Sequence, residues 1–167
     1  MNMRHTAWPL ALAAALTAVV VPGARPAGAA VGGAAAAGGA GLAHGEVRVA
    51  VDHLRSDRGT IMACLTADPA RFPRCRNDRA ALRLVIPAKG SHELVFADVP
   101  PGTYALALLH DENGNGEADR AASMIPREGF GFSRNAPARL GPPRFRDAAF
   151  AVRGGSQRLA VRMRYML

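Results

Sequence analysis

Val47, Val49 and Val51 alternate with Glu46, Arg48, Ala50 and Asp52. Alternation with a period of two marks a strand that buries one face, and similar short runs recur down the chain. Leu54-Arg55-Ser56-Asp57-Arg58-Gly59 reads as a turn into a second strand, Thr60 to Thr66. Ala80 to Ile86 is a third, ended by Pro87. Lys89-Gly90-Ser91 turns into a fourth, His92 to Val99, with Leu94 and Phe96 on one face. Tyr104 to Leu109 is nearly all apolar, as expected of a central strand. Phe145 to Val152 and Gln157 to Tyr165 form a last hairpin across Gly154-Gly155. With no amphipathic helical pattern among them, these runs predict an all-β fold, a seven-stranded antiparallel β-sandwich. The Pro100-Pro101-Gly102-Thr103-Tyr104 stretch reads either as a tyrosine corner of a Greek-key sandwich or as an ordinary turn before a core tyrosine.

The strands occupy only part of the 167 residues. Arg4 and His5 precede an uncharged apolar run from Pro9 to Val21, followed by Ala27-Gly28-Ala29. That arrangement predicts a secretory signal peptide over 1–29, too short in its apolar part to span a membrane. Residues 30–45 are almost wholly Ala and Gly and read as a linker. The domain is expected over 46–167, with no membrane span in the mature chain. The formal charge of +8 includes Arg4 and Arg25, whose loss leaves 19 basic against 13 acidic side chains. Arginines scattered at alternate strand positions, such as Arg162 and Arg164, fit a solvated sheet face better than a nucleic-acid surface.

Some 35 residues without strand periodicity separate Leu109 from Phe145. Connections of that length commonly carry function. This one opens with His110-Asp111-Glu112-Asn113-Gly114-Asn115-Gly116-Glu117-Ala118-Asp119. Asp111, Asn113 and Asn115 place an oxygen at every second position, Gly116 permits a sharp reversal, and Asp119 adds a carboxylate. That spacing suits a loop wrapped around one hard cation, with a backbone carbonyl at Glu117 as a further donor. An EF-hand would end in a bidentate Glu at its twelfth position, which here is Ala122. The nearest closing carboxylate is Glu128. Oxygen-only ligands favour Ca²⁺ over transition metals. The competing reading is an Asx-rich turn whose side chains bond their own backbone.

Other groups invite chemistry less strongly. His110 reads as a structural hydrogen-bonder at a strand end, with a metal ligand or general base as alternatives. Cys64 and Cys75, the only cysteines, are expected to form a disulfide in an exported chain. Gly129-Phe130-Gly131-Phe132 is a poor phosphate cradle, having no strand before it or helix after it. Its phenylalanines are expected to pack the loop onto the sandwich, the alternative being an exposed aromatic contact for a ligand.

The run from Pro100 to Ser133 resembles a bacterial family of exported proteins, domain of unknown function 2141. The matching motifs are Pro100 to Ala105, His110 to Asp119 and Ile125 to Asn135. Gly141 to Ala148, the Leu54-Arg55-Ser56 turn and Arg164-Tyr165 also match. Ala121-Ala122-Ser123-Met124 departs from the family's Asn-rich pattern. The resemblance implies a sandwich of the prealbumin or immunoglobulin-like kind and no established activity. Together these readings predict an exported, periplasmic or secreted, non-enzymatic module of the cell envelope, binding or structural in role. Its metal ligands are expected to be Asp111, Asn113, Asn115, Glu117, Asp119 and Glu128. Its partner would be an envelope protein or glycan. The rival is a hydrolase using His110 with Asp111 or Glu128 as acid and base.

Overall fold

A computed structural model describes residues 43–121, 125–139 and 141–167. The expected signal peptide and most of the linker lie outside the described residues. Two sheets hold the chain. The first runs in the order β4-β1-β8, from Glu93–Val99 (β4), Gly45–Asp52 (β1) and Gly155–Arg162 (β8). The second runs in the order β3-β2-β5-β6, from Leu82–Pro87 (β3), Thr60–Thr66 (β2), Gly102–Asp111 (β5) and Gly129–Phe132 (β6). Phe150–Val152 (β7) also joins β5. The all-β expectation therefore holds.

Alternation does the sorting. Val47, Val49 and Val51 point from β1 into the space between the sheets, where they meet Ile61 and Leu65 of β2 and Leu106 and Leu108 of β5. Each side chain buried this fully contributes about 2 kcal/mol of transfer free energy. The sheet faces, not the connections, therefore hold the sandwich. The fifth strand is buried on both sides, which explains its unbroken apolar run. Its other face carries Ala105 and Ala107 against Phe132, Ala136 and Ala148, with Phe72, Phe130 and Phe145 packed around them. Cys64 on β2 is joined to Cys75 at a Cα separation of 6.5 Å. The Arg83 guanidinium braces the loop beyond by donating to the carbonyls of Cys75, Asp78 and Ala81.

Three details differ from the strand pattern in the sequence. An eighth strand, β6, is built from the glycine-rich run and pairs with Ala107 to His110. Its glycines allow unusually close approach: a Cβ at Gly129 would lie 2.3 Å from the Tyr165 ring, and one at Gly131 2.8 Å from Val161. Residues Phe145–Ala148 form one helical turn (α1) instead of starting a strand. Phe145 packs on Phe72 there, and Ser133 Oγ donates to the Ala148 carbonyl at 2.6 Å. The expected last hairpin does not form either. Gly154 and Gly155, at φ 93° and 67°, carry the chain from β7 in one sheet to β8 in the other. There β8 lies parallel to β1, the one parallel pairing among the described strands. The Pro-Gly corner delivers Tyr104 into the core, its ring against Gly102.

Beyond β8 the chain crosses back. Arg164 exchanges both backbone hydrogen bonds with Phe130 of β6, at 2.9 and 3.0 Å. That crossing sets Tyr165 beside the end of β5, where the long connection begins.

Candidate metal centre

Asp111 is the last residue of β5, opposite Thr60 of β2, and is 2% exposed. Its Oδ1 accepts the N–H groups of Gly114 (2.7 Å) and Asn115 (3.2 Å), and its Oδ2 accepts that of Gly116 (2.8 Å). The curl that turns these donors inward needs left-handed backbone at Gly114 and Gly116, at φ 73° and 75°. Asn113 and Asn115 each accept, through Oδ1, the N–H two residues on. Their amide groups then donate to one carboxylate: Asn113 Nδ2 to Asp119 Oδ2 at 2.7 Å, Asn115 Nδ2 to Asp119 Oδ1 at 3.2 Å.

Glu128 closes the loop. A short ribbon, with Arg120 bridged to Pro126 and Arg127 N–H on the Asp119 carbonyl, returns the chain alongside itself. Asp119 N–H then donates to Glu128 Oε2 at 3.1 Å. Glu128 is 4% exposed, and its Oε1 is buried without a partner. Burial raises its pKa, and the charges of the nearby Asp111 and Asp119 carboxylates add to that. Two buried carboxylates, Asp111 and Glu128, and the half-buried Asp119 thus gather at one corner.

Among the six side chains singled out in the sequence, Asp111, Asn113, Asn115, Asp119 and Glu128 belong to this one connected cluster. The Glu117 side chain is exposed, and the residue contributes a backbone N–H to Asn115. The amide nitrogens of Asn113 and Asn115, not their oxygens, face Asp119. Among the described residues no group of three or more His, Cys, Asp or Glu side chains stands in a ready-made coordination geometry.

His110 faces away from this corner and is fully buried. Its Nε2 donates to the Arg58 carbonyl at 2.9 Å, which leaves Nδ1 to accept the Tyr165 hydroxyl at 2.7 Å. Both ring nitrogens are thus bonded to the scaffold.

Sequence reading missed the clamp beside it. Glu112, the outward neighbour of Asp111, accepts Arg55 Nε at 2.9 Å and Ser56 Oγ at 2.6 Å. Arg55 also donates to the carbonyls of Arg127 and Leu167 and lies 4.5 Å over the Tyr165 ring. The Arg55 guanidinium holds the Glu112 carboxyl down at about 2, helped by Ser56. One side chain thus ties the β1–β2 turn, both ends of the long loop and the C-terminal segment. The signal was present in Leu54-Arg55-Ser56 and Arg164-Tyr165, but nothing in their spacing says that they meet.

The profile of the family described as "uncharacterized protein conserved in bacteria (DUF2141)" matches residues 49–160. The chain belongs to this family. The DUF2141 match spans the whole of the Asp111–Glu128 loop and stops short of Arg164-Tyr165, so the clamp extends past it. No curated protein and no solved structure matches.

Proposed function

We propose that the mature chain is an exported, non-enzymatic β-sandwich module of the cell envelope whose Asp111–Glu128 loop binds one Ca²⁺. The ordered loop would present a surface to an envelope protein or glycan. Glu128 carries this reading: a carboxylate oxygen buried without a partner, beside a second buried carboxylate, is costly. A divalent cation would repay it. Asp111, Asp119 and Glu128 would supply carboxylate oxygens and Glu117 its backbone carbonyl. Asn113 and Asn115 would supply their side-chain oxygens after rotating about χ2, a soft torsion. Two or three carboxylates in a loop of this kind suit the micromolar-to-millimolar affinity of extracellular sites.

The occupied ring of His110 weighs against the hydrolase alternative. Export is supported by the Cys64–Cys75 pair, since disulfides persist in oxidising compartments. Calorimetric titration of the mature domain with Ca²⁺ tests the proposal. The expected result is saturable binding to one site, abolished in Asp111→Ala/Asp119→Ala. Absence of heat from both proteins would leave the loop as a self-bonded turn and overturn the proposal.

A further inference from the structure

Two segments outside the loop carry the protein's excess of positive charge. Residues 67–83 and 134–147 hold nine arginines and three aspartates; the rest of the described chain holds ten basic and ten acidic side chains. The whole positive excess therefore lies on two segments, and the fold brings them together. The Phe72 ring packs edge-on against Phe145, with centroids 6.0 Å apart, and against Phe132 at 5.9 Å. Between the segments runs an open groove of about 440 Å³, lined by Pro69 and Phe72 on one side and Pro143, Arg144, Phe145 and Arg146 on the other.

The groove has an apolar floor and a basic rim. Arg144 meets no carboxylate among the described residues, and Arg146 reaches only Asp147 at 3.7 Å, with its side chain 73% exposed. Arginine engages carboxylates through a flat two-pronged face. Aromatic side chains with arginine are the combination enriched where proteins bind proteins. The apolar groups floor a depression, whereas a lipid surface takes apolar groups that protrude.

We infer that this groove docks an acidic, extended segment of a partner protein, seating an apolar side chain on Phe72 and Phe145 while carboxylates pair with Arg144 and Arg146. The inference does not depend on the cation loop.

Fluorescence anisotropy tests it, using the mature domain and a labelled random copolymer of glutamate and tyrosine. Polyglutamate, heparin and phosphatidylglycerol vesicles serve as comparison probes. The copolymer should bind, and more tightly than polyglutamate or heparin. Arg144→Gln/Arg146→Gln should weaken it roughly tenfold, the scale of two solvent-facing charge pairs. Arg158→Gln/Arg162→Gln, which removes equal charge from β8, should leave it within about twofold. Both variants change exposed side chains, and unchanged melting temperatures confirm that they fold. Equal losses in the two variants, equal binding of heparin, binding of vesicles alone, or no copolymer binding would each overturn the inference.

Discussion

Asp111 is the side chain around which the long loop turns, because its two oxygens take three backbone N–H groups within a 2%-exposed pocket. Removing the carboxylate loses three charge-assisted hydrogen bonds at once, where an exposed amide loses one ordinary bond. Asp111→Ala should therefore cost about 3 kcal/mol even without a cation, read from the urea midpoint in a chelator. Asn113→Ala, on an exposed side chain, should cost under about 1 kcal/mol. Glu112 next door makes a pH prediction. Its folded pKa, about 2, lies below the ordinary 4.5, so its contribution is full above 4.5 and is lost as pH falls towards 2. The stability gap between wild type and Glu112→Gln should be open at about pH 6, narrow through about pH 4, and close near pH 2. A gap that stayed constant over that range would rule out the Arg55–Glu112 ion pair as its source.

Among the elements, β6 shows most clearly what sequence patterning cannot carry. Gly129-Phe130-Gly131-Phe132 has half the side chains a strand uses to announce itself. Its glycines are required by what lies across from them, Tyr165 and Val161, which come more than 25 residues later. Gly129→Ala should cost about 2 kcal/mol or more by driving a methyl into the Tyr165 ring. Gly116→Ala meets open space and should cost about 1 kcal/mol, from its left-handed backbone alone. Comparison of their thermal melts would separate crowding from backbone strain. The strands with clean alternation, β1 and β2, were legible, and so was β5 from its apolar run. The Phe145 turn and the placement of β8 were not, because tertiary packing on Phe72 and a two-glycine crossover decide them. At the site, the Asp111 to Asp119 spacing was legible from the sequence. The return of Glu128 rested only on proximity, and the Arg55 clamp on no local signal at all.

For the molecule as a whole, two sheet faces supply the core, and three ties secure what the sheets leave loose. These are the Cys64–Cys75 link, the Arg164–Phe130 crossing and the Arg55 clamp. Cys64→Ala/Cys75→Ala frees a loop of modest length and should cost about 2–3 kcal/mol. Adding a reductant should lower the wild-type urea midpoint towards the variant's and leave the variant's own unmoved. The cation loop stands on this scaffold, fixed at one end by Asp111, the last residue of β5, and at the other by Glu128, the residue just before β6. Its direct test is an anomalous-difference map from crystals of the mature domain grown with Ca²⁺. The account predicts one peak shared by the Asp111, Asp119 and Glu128 carboxylates, with the Asn113 and Asn115 oxygens turned towards it. A map without that peak, in which both amides still donate to Asp119, would contradict it.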